Sequence, residues 1–148
     1  MSLKQRLDED VKAAMRARDR DRLGTLRLIT AAVKQREVDE RITLDDAQVL
    51  AVIDKMVKQR RESIAQFDAA GRTDLSDKER FELAVLQEFL PAALADAEIE
   101  QFVTEGIAAA GAKSARDMGA VMAQLRPRVQ GRADMADVSR RVKARLGG

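Results

Sequence analysis

The sequence predicts an all-α protein: an N-terminal four-helix subdomain with one long helix, followed by a C-terminal three-helix bundle. Three observations carry that prediction. Apolar residues recur at steps of three and four along most of the chain, which is the spacing of one helix face. Ala, Leu, Glu, Lys, Arg and Gln are abundant while the only aromatics are Phe67, Phe81, Phe89 and Phe102, a composition that favours helix over strand. Capping sequences, Gly and Pro interrupt the pattern at helix-length intervals. A chain of 148 residues is also long enough to bury roughly two thirds of its unfolded surface without a metal or disulfide staple.

Each element has its own signal. Ser2 with Gln5 is a capping-box pattern, because each side chain can satisfy a free amide of the first turn, and Leu3, Leu7, Val11 and Ala14 or Met15 then mark the inward face. The charged run Arg16 to Arg22 breaks the periodicity and is expected to hold a turn, although it lacks Gly and Pro. A second helix carries Leu23, Leu26, Thr30 and Val33 on one stripe, with Ile29 and Ala32 beside it, and fades between Val38 and Arg41. Thr43 with Asp46 starts the longest segment, in which Leu50, Ile53, Val57, Ile64 and Phe67 share a face and Arg60 fills the gap in the row. Gly71 stops it as a left-handed cap. The fourth helix, about Asp74 to Phe89, stacks Phe81, Val85 and Phe89 inward and is ended by Pro91, which disfavours helical geometry in the residue before it.

Pro91 to Asp96 is read as the boundary between an N-terminal helical subdomain, residues 1–92, and a C-terminal three-helix domain, residues 95–148. The fifth helix, Asp96 to Ala110, turns Ile99, Phe102, Val103 and Ile107 inward and stops at Gly111. Ser114 with Asp117 opens the sixth, where Met118, Val121, Met122 and Leu125 fill the core and Arg126-Pro127 is expected to end or kink the helix. Asp134 with Asp137 caps the seventh, whose buried row is Val138, Val142 and Leu146.

Composition bounds the chemistry. With no Cys and no His, thiolate chemistry, Cys zinc sites and every Ser-His or Cys-His nucleophile are excluded, and the commonest general base is missing. No catalytic residue, cofactor or metal site is therefore expected. The densest acid clusters, Asp8-Glu9-Asp10 and Asp45-Asp46, read as first-turn acids favoured by the helix dipole rather than as magnesium ligands. The opening Met1-Ser2-Leu3-Lys4-Gln5-Arg6 lacks the apolar core of a secretory signal, and no window is apolar enough to span a membrane. From this the expectation is a cytoplasmic protein that does not engage a membrane.

Charge is where the sequence speaks of function. Before Ala95 there are eighteen Lys or Arg against eighteen Asp or Glu; from Lys113 onward nine bases stand against Asp117, Asp134 and Asp137. Clustered cations sum their fields over distances near the Debye length and attract a phosphate-rich polyanion. Lys113, Arg116, Arg126, Arg128, Arg132, Arg140 and Arg141 are the candidates, with Lys143 and Arg145 completing the nine. Gly119 and Gly131 join them: a glycine inside a helix costs about 1 kcal/mol against alanine, which invites close approach by a backbone or ligand, and Gly131 is either a turn residue or an amide offered to phosphate. The other cationic run, Lys34, Arg36, Lys55, Lys58, Arg60 and Arg61, is interleaved with Asp54 and Glu62 and reads as an ion-paired helix surface.

Four segments resemble the GatB/YqeY family in order and in register: Ser2-Leu3-Lys4-Gln5-Arg6-Leu7, Arg27-Leu28-Ile29-Thr30-Ala31-Ala32-Val33-Lys34, Leu86-Gln87-Glu88-Phe89-Leu90-Pro91, and Met118-Gly119-Ala120-Val121-Met122 running on to Gly131-Arg132-Ala133-Asp134. The resemblance implies a helical subdomain followed by a compact three-helix one. That pair forms the C-terminal helical and tail region of the B subunit of the aspartyl/glutamyl-tRNA amidotransferase, which uses glutamine as amido-N-donor on misacylated tRNA. There the tail grips tRNA, while a separate cradle domain activates the acyl group. Carbon-nitrogen ligase is thus a family-level association, and a chain without cradle or glutaminase is expected not to be catalytic by itself. Gly119, Gly131, Arg132 and Asp134 match recurrent positions of the family's terminal motif. Met135, where a glycine often follows, and Ala95, in place of a Ser or Thr cap, depart from the pattern and bear on loop geometry.

The expectation is a non-catalytic tRNA-binding or structured-RNA-binding module, with Lys113, Arg116, Gly119, Arg126, Arg128, Gly131, Arg132, Arg140 and Arg141 at the RNA. Two alternatives stand beside it. One is a protein-interaction module docking on a tRNA synthetase or amidotransferase complex through the long third helix; the other is an amidotransferase accessory subunit. Oligomeric state is left open.

Overall fold

A computed structural model of the chain describes residues 1–147. Among them are seven α-helices and one 3-10 turn, with no strand. The chain forms two compact units, Met1–Leu90 and Pro91–Gly148.

The first unit packs α1 (Leu3–Ala17), α2 (Arg20–Glu40), α3 (Asp46–Ala69) and α4 (Thr73–Gln87) around a core in which Leu7, Leu26, Ile29, Ile53 and Leu86 are fully buried. The Ser2–Gln5 capping box forms as expected. The α1–α2 turn runs through Arg18 in the left-handed region (φ 55°), with the Asp19 carboxylate capping α2 by accepting from the Arg22 amide. Asp45, rather than Thr43, caps α3 in a box with Gln48, and Asp46 accepts from the Leu3 amide at 2.9 Å. The Asp45-Asp46 pair thus serves two helix starts. Gly71 (φ 71°) ends α3 while the Arg72 amide reaches back to the Phe67 carbonyl at 2.8 Å.

Two apolar rows differ from the sequence reading. On α3 the buried residues are Val49, Ile53, Met56 and Val57, with Leu50 only half buried. On α4, Phe81 is 43% exposed while its neighbour Glu82 is buried at 8%. The cause lies across the interface. Arg60 sits in the apolar row of α3, its Nε 3.0 Å from Glu82 and 3.3 Å from Glu79. An unpaired buried cation costs several kcal/mol, so α4 presents its carboxylates here, and one residue of helix, about 100°, sends Phe81 outward.

The end of α4 ties the unit together. Arg22 Nη1 lies 2.6 Å from Glu88, and its other terminal nitrogen 3.8 Å from Asp10. Arg6 donates to the Glu88 carbonyl at 2.9 Å, and its guanidinium stacks 4.6 Å above the buried Phe89 ring. Glu37 receives Lys4 Nζ at 2.7 Å and the Leu44 amide at 2.8 Å, contacts that hold its carboxyl below the usual range.

The second unit comprises α5 (Asp96–Ala110), a 3-10 turn (Ala115–Asp117), α6 (Met118–Val129) and α7 (Met135–Arg145). Val103, Val121, Leu125, Val129, Val138 and Val142 are fully buried. Pro127 does not end α6, which continues to Val129. The ring sits in the last turn, where one amide is lost but the closing bond survives, the Gln130 amide donating to the Arg126 carbonyl at 3.0 Å. Ala95 takes the cap position without a side-chain cap; instead Glu98 reaches back to accept from the Ala95 amide at 3.1 Å.

The α5–α6 contact depends on a glycine that periodicity does not single out. A Cβ built on Gly106 falls 2.9 Å from Leu125 Cδ2 and 3.0 Å from its Cγ, and Leu125 is itself fully buried. Gly106→Val is therefore expected to destabilise the protein by about 1–3 kcal/mol through overpacking. Urea unfolding measures this; a midpoint equal to that of the unsubstituted chain would contradict the close helix approach.

Candidate nucleic-acid interface

The nine bases from Lys113 onward do not form one positive face, because α5 supplies acids to one side of them. Arg141 donates to Glu100 at 2.9 Å, to Asp137 at 3.0 Å and to Asp96 at 2.8 Å, three carboxylates that push its pKa further up. Arg145 bonds Glu100 at 3.0 Å and the Thr104 hydroxyl at 2.6 Å. Arg128 pairs with Glu105 at 2.6 Å and lies 4.1 Å above the Phe102 ring. These arginines fasten α6 and α7 to α5. Arg128 and Arg141, expected at the RNA, are committed to the bundle.

The Gly131-Arg132-Ala133-Asp134 run is likewise structural. Gly131 is buried and left-handed (φ 77°), a backbone that suits glycine in the α6–α7 connection. Arg132 accepts from the Leu94 amide through its carbonyl at 2.8 Å and donates from Nε to the Ala92 carbonyl at 3.3 Å, pinning the segment before α5. Asp134 caps α7 through the Ala136 amide, so Met135 is simply its first helical residue. Gly119 is exposed, and a Cβ there would meet nothing within 4 Å. Of the two partners that its helical position invites, a neighbouring backbone or a ligand, the backbone is absent among the described residues.

What remains is a smaller cationic set. Lys113, Arg116, Arg126 and Lys143 are exposed and make no ion pair among the described residues. Arg140 adds a 71% exposed side chain held only by Asp137 at 3.3 Å, a contact of a kind worth little in water. Helical phase locates two of them. The Ser139 hydroxyl donates to Met122 Sδ at 3.8 Å across α6 and α7, and residues four apart share a helix side. Arg126 follows Met122 by four and Lys143 follows Ser139 by four, which puts both on the α6–α7 side, away from the acids of α5. Lys143, set apart from the candidates in the sequence, lies on the same side as Arg126; the Ser139–Met122 contact locates it. Lys113 precedes the 3-10 turn and Arg116 lies within it; Asp117 accepts from the Lys113 and Ser114 amides, and neither cationic side chain is ion-paired among the described residues.

Fold and surface together define a class: an all-helical protein of two compact units whose second unit carries a basic edge. The chain belongs to the YqeY-like protein family, whose model matches residues 4–146. It is similar to proteins named altered inheritance of mitochondria protein 41, mitochondrial. The one from Pyrenophora tritici-repentis is 30% identical over 146 residues, 96% of this chain and 80% of that protein. The one from Eremothecium gossypii is 39% identical over 87 residues, 58% of this chain and 48% of that protein. A third, from Kluyveromyces lactis, is 35% identical over 106 residues, 67% and 57% of the two chains. The matched region thus spans about half the length of the first and last of these relatives' sequences, those from Eremothecium and Kluyveromyces.

These names overturn the cytoplasmic expectation. A polar amino terminus bears on secretion alone, since mitochondrial targeting segments are amphipathic and Arg-rich rather than apolar. Among the described residues no helix is long and apolar enough to cross a membrane.

Ion pairs of α5 and α7 set a pH dependence. Arg128, then Gln101, hold the Glu105 carboxyl below its usual range, and Arg141 does the same for Asp137. Their folded pKa values lie below the unfolded ones, so the stabilisation is present above the unfolded values, about 4, and is lost as pH falls through the folded ones. Unfolding free energy should stay level from about pH 7 to 5 and decline below about 4. Glu105→Gln should make that decline shallower in acid denaturation series; an unchanged slope would contradict the pairing.

Proposed function

We propose that this chain is a non-catalytic helical module that binds structured RNA, tRNA foremost, along the α6–α7 edge of its second unit. One observation supports the reading above others: acids of α5 neutralise the arginines on one side, whereas Lys113, Arg116, Arg126 and Lys143 are left unpaired. Uncommitted cations of this kind release counterions on meeting phosphate, which is the main source of sequence-independent affinity. Arg140 joins them at the cost of one weak exposed pair. Arg128, Arg132 and Arg141 shape the surface without touching RNA. With no Trp or Tyr in the chain and none of its four Phe on α6 or α7, this edge has no aromatic platform for splayed bases, so selectivity rests on the shape and phosphate spacing of a folded RNA.

On this reading the tie to amidotransferase chemistry is one of delivery. The chain holds tRNA, and glutamine-dependent amide transfer occurs on another subunit, since a chain without His or Cys lacks a thiolate nucleophile of its own. Docking on a synthetase or amidotransferase through α3 has less support: its outward positions are Lys55, Gln59, Arg61 and Glu62, a charged and well-solvated face.

Binding of labelled tRNA, followed by anisotropy, tests the proposal. Log affinity should fall against log salt with a slope of roughly −3 to −4, as expected for about four phosphate contacts. Arg126→Glu with Lys143→Glu should weaken binding by about tenfold or more, while Arg128→Gln should change it little. A flat salt response, or indifference to the double charge reversal, would overturn the reading.

A further inference from the structure

Helix α2 is apolar on two sides, and only one of them is used. Thr25, Leu26, Ile29 and Val33 face the core. On the opposite side Gly24, Leu28, Ala31, Gln35 and Val38 are all exposed, with Leu28 at 46% and Val38 at 63%. Their spacing alternates four and three. That is the seam of a coiled coil, in which apolar positions return every three and a half residues on average. A cation stands immediately before the residue that closes each four-residue step, Arg27 before Leu28 and Lys34 before Gln35, and Arg20 and, at the helix cap, Arg41 continue this row at intervals of seven. All four are exposed, and none is ion-paired among the described residues.

We infer that the outer face of α2 is a docking seam for one helix of a different protein, amphipathic and flanked by acidic residues. The apolar ridge and the basic row together select this occupant. Leu28 as a knob between the small Gly24 and Ala31, with Val38 further along the seam, allows close approach of a second helix, which a polyanion has no use for. The basic row sits at the flanking position that forms interhelical ion pairs in such seams, so its complement is a row of Asp or Glu. A second copy of this chain is a poor match. Antiparallel copies would set the basic row against itself. Parallel copies would set it against Thr25, Ala32 and Asp39, of which Thr25 is buried and Asp39 already bonds Gln35 at 2.8 Å. The same charges that attract an acidic helix therefore oppose self-pairing. This surface lies in the first unit and is separate from the proposed RNA edge, so the two proposals stand or fall independently.

The test titrates the whole chain against two labelled three-heptad peptides with Leu along the seam, one flanked by Glu and one by Lys. The Glu peptide should bind at least about tenfold more tightly. Leu28→Asp should weaken it about tenfold, and Arg27→Glu with Lys34→Glu should weaken it similarly while creating affinity for the Lys peptide. tRNA affinity should be unchanged in both variants. The peptide comparison needs no variant, so it stands even if a substitution harms folding. Equal binding of the two peptides, or insensitivity to Leu28→Asp, overturns the inference. Loss of tRNA binding on charge reversal would make the face an RNA surface, and a dimer dissolved by Leu28→Asp would make the occupant a second copy; either result also overturns it.

Discussion

The second unit depends on acids of α5 meeting arginines of α6 and α7. Without Glu100, Glu105 and Asp96, the cations Arg141, Arg145 and Arg128 would repel one another across a small bundle; with them, three helices are fastened and most of that repulsion is gone. The pairing also sorts the surface. Guanidinium groups in reach of α5 become part of the scaffold, and the cations beyond its reach stay available. A compact fold and a directional charge distribution thus come from one set of contacts.

A parallel logic runs through the first unit. Arg60 occupies a place in an apolar row and is tolerated because Glu79 and Glu82 meet it. Glu88 and Phe89 gather Arg22 and Arg6 onto the end of α4, and Glu37 joins α1 to the start of α3 through Lys4 and the Leu44 amide. The segments that carry the family likeness coincide with such ties: Ser2 to Leu7 at a helix start, Leu86 to Pro91 at a helix end, Gly131 to Asp134 at a turn. The shared role of these three is to hold the fold, whereas the remaining segment, Arg27 to Lys34 on α2, also leaves Arg27, Leu28, Ala31 and Lys34 exposed.

Much of the fold was legible because caps and stops are local chemistry. Ser2 with Gln5, Gly71, Gly111 and Asp134 mark boundaries that involve only a few neighbouring residues. Facing was less legible. Near Phe81 the apolar residues at 81, 83, 85, 86, 89 and 90 are compatible with two inward faces, and the choice is made by Arg60, twenty-two residues from the Glu82 that meets it. The site suffered from the same nonlocality. Counting charges from Lys113 onward left out the acids of α5, of which Asp96, Glu100 and Glu105 lie earlier in the chain yet pair with the bases, so a linear excess overstated the spatial one. Gly106 and Gly119 exchange roles for a related reason: a sequence shows a glycine's conformational cost but not whether a leucine stands opposite.

The central claim is that polyanion contact is confined to the cations that α5 leaves unpaired. Amide chemical-shift mapping of an isotope-labelled chain titrated with tRNA examines it residue by residue. The account predicts shifts around Lys113 to Arg116, near Arg126 and from Arg140 to Lys143, with the outward side of α5 unmoved. Shifts centred on α5 beside Arg128 and Arg145, or spread evenly over both units, would contradict it.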